Sequence, residues 1–522
     1  MLRWLHPYCL AAAAVLIFYA HNAHEAPPKI AALALIGAVL GTALVHGCIR
    51  LAFPDRDRGA LAASFCVLLF FRYGQAFDYV WAAKWYAASA DVHHAVATAF
   101  IALTVVVLGV LRFTRRNIEG LSTAVGVFSI VLVCMGLVQT VAALVEGGLP
   151  DPAVASKPRA PMITEERADL PDIYYIILDG YARNDKLASI YKHDNHGFTE
   201  GLKERGFYVA ENSRSNYMIT HMSLAATLNM RYLPARVGKS KRPFYKLIQK
   251  NEAARYLQSK GYRYIHFCTA YGGTETSDIA DDTVRLLPEI LQNEFMSVLL
   301  GTTALSAAEP SLADMNLFLM DQVQKVPERA GPTFAFMHLV LPHNPYVFMR
   351  DGTVRADVPM SFQLTEKTGA WSAKDKYIDQ LVYVNTRVLE IVDAILRKSP
   401  NPPIIIIQSD HGSGTSYHRG KGWETAFFDE RTANLNAWYA PPGVTARLTP
   451  RMHSVNTFRL LFSELFDAQL PELERKVFAT YFSKPYSAKD ITAQIDVIDG
   501  IAPAANPDPD PVTPPPPLSA PP

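Results

Sequence analysis

Charge of one sign is what this chain lacks. Lys and Arg number 50 against 49 Asp and Glu, a formal net charge of +1. So even a balance offers no basic footprint for nucleic acid, and no nucleic-acid partner is expected. Cysteine is scarce as well, at five residues. Cys9, Cys48, Cys66 and Cys134 fall in or beside apolar stretches, leaving Cys268 alone in the more polar remainder. A single thiol there cannot close an internal disulfide, so it reads as a small buried hydrophobe. Cysteine usage therefore leaves the redox compartment undecided. No internal repeat is visible.

What the chain has is a lopsided distribution of apolar residues. They crowd into positions 1–147, in five runs: Leu5–Tyr19, Ile30–Val45, Ala60–Phe77, Ala95–Leu111 and Leu121–Leu144. Each approaches the length needed to cross a hydrocarbon core, which predicts a bundle of five transmembrane helices. The first run is expected to stay as a span rather than to be a cleaved signal peptide, because four more spans follow it. With the N-terminus in the cytoplasm, Arg3, Arg50, Arg56, Arg58, Arg112, Arg115 and Arg116 share one side, and the opposite short loops carry only Lys29 and Lys84. The positive-inside rule then predicts a multi-pass membrane protein with a cytoplasmic N-terminus, and an odd number of crossings places everything after Leu144 outside the cytoplasm. Arg72, inside the third run, has two readings: snorkelling to the outer interface or contact with a lipid phosphate.

Residues 148–170 are polar and Pro-containing and read as a linker. Residues 171–490 carry an α/β pattern, and 491–522 read as a Pro-rich disordered tail. Short apolar runs predict strands buried on both faces at Ile173–Leu178, Thr333–Val340 and Pro403–Gln408. Tyr377 to Leu396 predicts a helix, with Ile378, Leu381, Val384, Val388, Ile391 and Ile395 on one stripe. Such alternation implies a mostly parallel sheet covered by helices. Leu286 to Leu305 is apolar but contains Pro288, Glu289 and Glu294, so a core or interfacial helix is expected there rather than a sixth span.

In open α/β sheets, ligands bind beyond the carboxyl ends of the strands. Asp179-Gly180 follows the first buried run, Leu-Pro-His343-Asn-Pro-Tyr the second, and Ser409-Asp410-His411-Gly412 the third. Two carboxylates and two imidazoles thus converge on one edge, a donor set suited to Zn²⁺ or Mn²⁺. A nucleophile is sought in Ser215-Asn216-Tyr-Met-Ile-Thr220-His-Met-Ser223, which leads into an apolar helix. Thr220 stands where an N-cap would stand. It is either that cap or a hydroxyl whose pKa a metal and the helix N-terminus lower together. Ser215 and Ser223 are weaker candidates. His338, inside a strand, reads as a core histidine. His418, Arg419 and Lys421 lie just past the Asp-His pair, and they either hold an anionic oxygen or form a solvated loop.

Five strings in order carry a resemblance: Pro-Asp-Ile-Tyr-Tyr-Ile-Ile-Leu-Asp-Gly-Tyr, Gly-Phe-Tyr-Val-Ala, Asn-Tyr-x-x-Thr-x-x-Ser-Leu, Leu-Pro-His-x-Pro-Tyr and Ser-Asp-His-Gly. From Asp172 to Leu465 the chain resembles the sulfatase-like hydrolase/transferase family of the alkaline phosphatase superfamily. Its layout is similar to lipoteichoic acid synthases and phosphoethanolamine transferases. The resemblance implies an alkaline phosphatase/sulfatase-like α/β domain, with Asp179, Asp410 and His411 as metal ligands and Thr220 as a nucleophile that also touches the metal. It implies a substrate-binding or leaving-group role for His343. Departures matter: no Cys or Ser followed by x-Pro-x-Arg is present, which disfavours sulfate-ester hydrolysis through formylglycine. The Asp-and-His pair of a second metal site is missing, so one divalent metal is expected. The usual Glu at the first ligand position is Asp179 here. Met-His453-Ser-Val-Asn resembles a His-Asp-Asn segment of relatives, yet alignment on the Asn puts Ser454 at the histidine, leaving His453 a weak candidate for substrate binding.

The leading expectation is a membrane-anchored, metal-dependent phospho-group transferase of the phosphoethanolamine or phosphoglycerol type. Thr220 would take the group from a membrane lipid donor as phosphothreonine and pass it to an envelope lipid or glycan. The alternatives are an extracytoplasmic phosphodiesterase or sulfuric ester hydrolase of the same fold, and an inactive sensor or scaffold.

Overall fold

The computed structural model describes residues 4–146, 170–234, 240–308, 310–358, 373–416, 425–481 and 484–501. They form two compact units, one gathering the N-terminal helices with the segment Leu287–Asp314, the other holding the sheet.

The first unit contains α1 (His6–Asn22), α2 (Pro28–Ala52), α3 (Arg56–Ala82), α4 (Ser89–Phe113) and α5 (Glu119–Glu146). Their starts follow local chemistry. Pro occupies the first turn of α1 and of α2, where a missing N–H costs nothing. Asp55 caps α3 by accepting from the Arg58 amide at 2.9 Å. By length and composition α2 to α5 can each cross a membrane. At 17 residues α1 is shorter, and it packs against α2, α3 and α5. The helices α2 to α5 overrun their apolar runs at both ends and α1 at its C-terminal end, because residues beyond the runs continue the backbone ladder. Arg72 is exposed and its guanidinium reaches Gln75. Within the Leu286–Leu305 stretch a helix forms at Glu294–Gly301, with Asn293 as its cap. Phe295, Met296 and Leu299 bury themselves among Val15, Tyr19 and Ile30 of the bundle.

The second unit is built on a seven-stranded sheet: β1 (Ile173–Leu178), β2 (Tyr208–Val209), β3 (Arg263–Phe267), β4 (Asp282–Val284), β5 (Thr333–Leu339), β6 (Ile404–Gln408) and β7 (Asn436–Tyr439), ordered β2-β7-β6-β1-β5-β3-β4. The five strands from β6 to β4 run parallel, and β7 pairs antiparallel with both β6 and β2. Every residue of β1, β5 and β6 is buried, as strands covered on both faces require. The core packs Tyr175, Phe334, Phe336, Phe458 and Trp438 together, Tyr175 stacked 5.6 Å from Phe336. The helix expected at Tyr377–Leu396 runs Lys374–Lys398, and its six stripe residues are all buried. Asp375 in its first turn and Arg397 and Lys398 in its last complement the helix dipole.

One boundary shifts. The tail expected from residue 491 begins with a helix over Thr492–Ile498, with Ile495 fully buried. Asp499 beyond it pairs at 2.6 Å with Arg214, whose side chain is only 1% exposed. Composition conceals this, because the proline repeats begin only after these residues. The remainder of the tail, the linker after 146, and His418, Arg419 and Lys421 lie outside the described residues.

Candidate metal centre and nucleophile

The sheet delivers three groups to one edge. β1 is central, flanked by β5 and β6, so residues just past all three strands are neighbours. Asp179 follows β1 directly, and its amide donates to the Leu339 carbonyl at 3.0 Å. Gly180 then turns away at a φ of +69°, a conformation glycine adopts at little cost. Its amide donates to Asp410 Oδ1 at 3.1 Å. Tyr377 pins this turn, its hydroxyl accepting from Ala182 N–H and donating to the Gly180 carbonyl, both at 3.0 Å.

The turn after β6 is held as firmly. Ser409 Oγ donates to the His411 carbonyl at 2.6 Å and accepts from the Tyr181 amide at 2.8 Å. Gly412 is required sterically: a Cβ there would lie 2.1 Å from the Glu430 carbonyl oxygen and 2.5 Å from that of Ala433. Glu430 Oε1 accepts from Ser413 Oγ and the Thr415 amide, and Oε2 from the Ser416 amide, so the loop is fastened from below.

Asp179, Asp410 and His411 are all buried, and one ligand atom from each lies within 4.8 Å of the others. His411 Nε2 is 3.2 Å from Asp410 Oδ2 and 3.7 Å from Asp179 Oδ1. Its Nδ1 donates to the Gly412 carbonyl at 2.9 Å, a tautomer that leaves Nε2 a lone pair facing the carboxylates. Asp179 Oδ1 and Asp410 Oδ2 are buried without a hydrogen-bond donor. Two such oxygens side by side are costly unless a cation neutralises them. Burial, and then the charge of Asp179, push the Asp410 carboxyl up. Burial also opposes ionisation of Asp179, but His343, His338 and His411 outweigh it and hold that carboxyl well below the usual range. Two carboxylates, one imidazole and a nearby hydroxyl suit a divalent ion, and these residues fit it.

The hydroxyl is Thr220. The helix Thr220–Leu228 has Ile219 at its N-cap, with no side-chain cap hydrogen bond, so Thr220 is the first helical residue. Its Oγ1 turns instead towards His411 Nε2, at 3.2 Å. The capping role is thereby set aside, because an oxygen one position inside the helix cannot meet its own first-turn amides. Ser223, one turn on, donates to the Asp410 carbonyl at 2.7 Å, and Ser215 donates to the Tyr217 carbonyl at 3.0 Å, so both are committed to backbone.

His343 stands beside the cluster. Its amide donates to the Asp179 carbonyl at 3.0 Å, and its ring centroid lies 6.5 Å from that of His411. Gln380 fixes the loop by donating to the Pro342 and His343 carbonyls. His453 is tied elsewhere: its Nε2 faces the Leu473 carbonyl and the Asn456 amide group.

Two residues of the site escape sequence reasoning. Arg431 donates from Nε to the Met218 carbonyl, from Nη1 to the Gly412 carbonyl, and from Nη2 to His411 Nε2 at 2.9 Å. It lies on the helix Thr425–Thr432 with no motif around it. His338 is buried in β5, as a core histidine would be, yet its Nε2 lies 3.3 Å from Asp179 Oδ2. The parallel register pairs it with Ile177, two residues before Asp179, which brings the ring alongside that carboxylate. Only the register, invisible in a single apolar run, separates the two readings.

No family model and no curated protein matches the chain. Similar solved structures include the C-terminal periplasmic domain of EcEptC from Escherichia coli in complex with Zn, 12% identical over 62% of this chain and 94% of that one, with a TM-score of 0.43. The soluble domain of lipooligosaccharide phosphoethanolamine transferase A from Neisseria meningitidis is 14% identical over 59% of this chain and 92% of that one, TM-score 0.38. The lipoteichoic acid synthase LtaP from Listeria monocytogenes is 11% identical over 58% and 74%, TM-score 0.39. At these identities and scores the likenesses do not by themselves assign an activity.

Proposed function

We propose that this protein is a membrane-anchored, metal-dependent phospho-group transferase that uses Thr220 as its nucleophile. The observation that carries this reading is the Thr220 hydroxyl 3.2 Å from His411 Nε2, at a buried group of two carboxylates and an imidazole. Asp179, Asp410, His411 and Thr220 would hold one Zn²⁺ or Mn²⁺. When bound, such an ion lowers the pKa of a hydroxyl and neutralises charge on phosphoryl oxygens.

The chain's own residues supply the rest. Thr220 Oγ1 bonds to the phosphorus of a lipid head-group phosphodiester, and the bond from phosphorus to the lipid alcohol breaks. His343, at the open edge of the cluster, protonates the departing alcohol oxygen. Arg431, whose three nitrogens reach two carbonyls and His411 Nε2, brings its positive charge to the reacting centre and suits an anionic phosphoryl oxygen. The hydroxyl of an envelope lipid or glycan then passes its proton to the now neutral His343 and bonds to phosphorus, the bond from phosphorus to Oγ1 breaks, and Oγ1 recovers from solvent the proton it gave up on attack. The N-terminal helices keep the enzyme at its lipid donor, and the arginine bias of the loops supports a cytoplasmic N-terminus and an extracytoplasmic sheet domain.

The test is release of lipid alcohol. Full-length protein in detergent, given Zn²⁺ or Mn²⁺ and vesicles of phosphatidylethanolamine and phosphatidylglycerol, should liberate diacylglycerol, and chelator should stop it. No diacylglycerol from either lipid contradicts the proposal. Release whose rate ignores any added glycan or lipid hydroxyl favours a hydrolase.

A further inference from the structure

Behind Asp179 lies a buried line of polar groups that the proposed reaction does not use. His338 Nδ1 faces Thr274 Oγ1 at 2.9 Å, and Thr274 Oγ1 faces Thr269 Oγ1 at 2.7 Å. Thr269 Oγ1 accepts from the Tyr271 amide at 3.2 Å. All three side chains are at most 1% exposed, so no water screens them. Thr274 is held independently: its carbonyl accepts from His266 Nε2 at 3.0 Å, and His266 Nδ1 faces the Tyr264 hydroxyl at 3.1 Å. The Tyr271 ring stands edge-on to His338, centroids 5.5 Å apart, and closes the side of the imidazole.

The line has a direction. Beside an ionised Asp179, which can only accept, His338 carries its proton at Nε2, so Nδ1 accepts from the Thr274 hydroxyl and Thr274 in turn accepts from Thr269. That Nε2 lies 3.3 Å from Asp179 Oδ2, within contact distance but not aligned as a hydrogen bond. Asp179 Oδ1 is the oxygen left without a donor, on the side of His411. His338 is not itself among the ligand atoms that lie within 4.8 Å of one another.

We infer that His338, held at Nδ1 by Thr274 and through it by Thr269, is a positioning residue that lies against one oxygen of Asp179 and so presents the other to a divalent cation. This rests on the metal-dependent reading of the site. Burial alone asks for a partner at Nδ1, as at His266; what sets His338 apart is that its other nitrogen lies against a carboxylate of the group that would hold the cation. Groups that orient a metal ligand through its far atom typically change affinity 10- to 100-fold when lost.

The experiment measures Zn²⁺ affinity of the full-length protein in detergent, by competition with a chromophoric chelator and without any substrate. Thr274→Val removes the hydroxyl at nearly constant volume. His338→Leu removes the imidazole, and His338→Gln restores an N–H close to the Nε2 position. Thr274→Val and His338→Leu should each weaken Zn²⁺ binding by about 10- to 100-fold, and His338→Gln should recover most of the loss. Melting temperatures taken without metal separate folding from binding. Should His338→Leu fail to fold, Thr274→Val decides alone. Lower melting temperature with unchanged affinity in Thr274→Val would make His338 a packing residue and overturn the inference. Asp410→Ala separates the two levels. If the parent binds Zn²⁺ and Asp410→Ala does not, while Thr274→Val and His338→Leu bind as the parent does, only the positioning role falls. If the parent binds no Zn²⁺, the metal-dependent reading falls and takes this inference with it.

Discussion

Thr220 Oγ1 and His411 Nε2 lie 3.2 Å apart although 191 positions separate them in the chain. One begins a helix and the other follows a buried strand. Because Thr220 is not the helix cap, Thr220→Ala should cost less than the roughly 0.5–2 kcal/mol that loss of a cap brings. Thr220→Ala and Thr220→Asn should both fold and both be inactive, and Thr220→Ser should retain part of the activity, since its hydroxyl still ionises. Chemical denaturation and diacylglycerol release check this together. Near-parent turnover by Thr220→Asn would remove Thr220 from the reaction.

The buried carboxylate pair makes an opposite pair of demands. Without a cation, Asp179 and Asp410 oppose one another, so Asp410→Asn should leave the melting temperature of metal-free protein unchanged or raise it. The same substitution should abolish the rise in melting temperature that added Zn²⁺ or Mn²⁺ produces in the parent. Calorimetry with and without metal reads both. A metal-free Asp410→Asn protein less stable than its parent would contradict the like-charge account.

How much of this arrangement is legible in the chain differs from residue to residue. β1 is legible to its ends, because six consecutive buried side chains leave no other pattern. Asp179, Asp410 and His411 are legible because each closely follows such a strand, and position after a strand is sequence information. Arg431 is not: its role depends on where a short helix docks, and its own helix carries no apolar stripe that would reveal the docking. His338 reads as a core histidine and is buried as one; its nearness to Asp179 comes from the register of β5 on β1, which a single apolar run does not show. β7 reverses direction at the edge of a parallel sheet, which four residues cannot signal. The helix Thr492–Ile498 is hidden by the proline-rich composition of the residues after it.

Asp499 gives that last helix an energetic purpose. It pairs with the buried Arg214 at 2.6 Å and with Arg475 at 2.7 Å. Asp499→Ala leaves Arg214 with Asp429 alone, and breaking one side of a buried pair should cost on the order of 3 kcal/mol. Urea denaturation checks it. A loss under about 1 kcal/mol, the range of surface pairs, would show that Asp429 suffices.

Two buried histidines set an acid limit. Burial lowers His266 and His453 from 6.5 to about 4 each, with Arg285 and Arg475 respectively adding to the effect. Between those values the unfolded chain binds protons at these two rings that the folded one refuses, so their contribution to stability is full above pH 6.5 and is lost as pH drops towards 4, against a smaller opposite contribution from the raised Asp410 carboxyl. Melting temperature should decline through that window, ahead of most carboxylate titration. A flat profile from pH 7 to pH 5 would contradict it.

The central claim is that Thr220 carries the phospho-group between donor and acceptor. Mass mapping of peptides from full-length protein, quenched after brief exposure to divalent metal and lipid vesicles, tests it most directly. The account predicts a mass increase of phosphoethanolamine or phosphoglycerol on the peptide containing Thr220, absent from Thr220→Ala and from chelated protein. An adduct on another residue, or turnover with no adduct at any quench time, would contradict it.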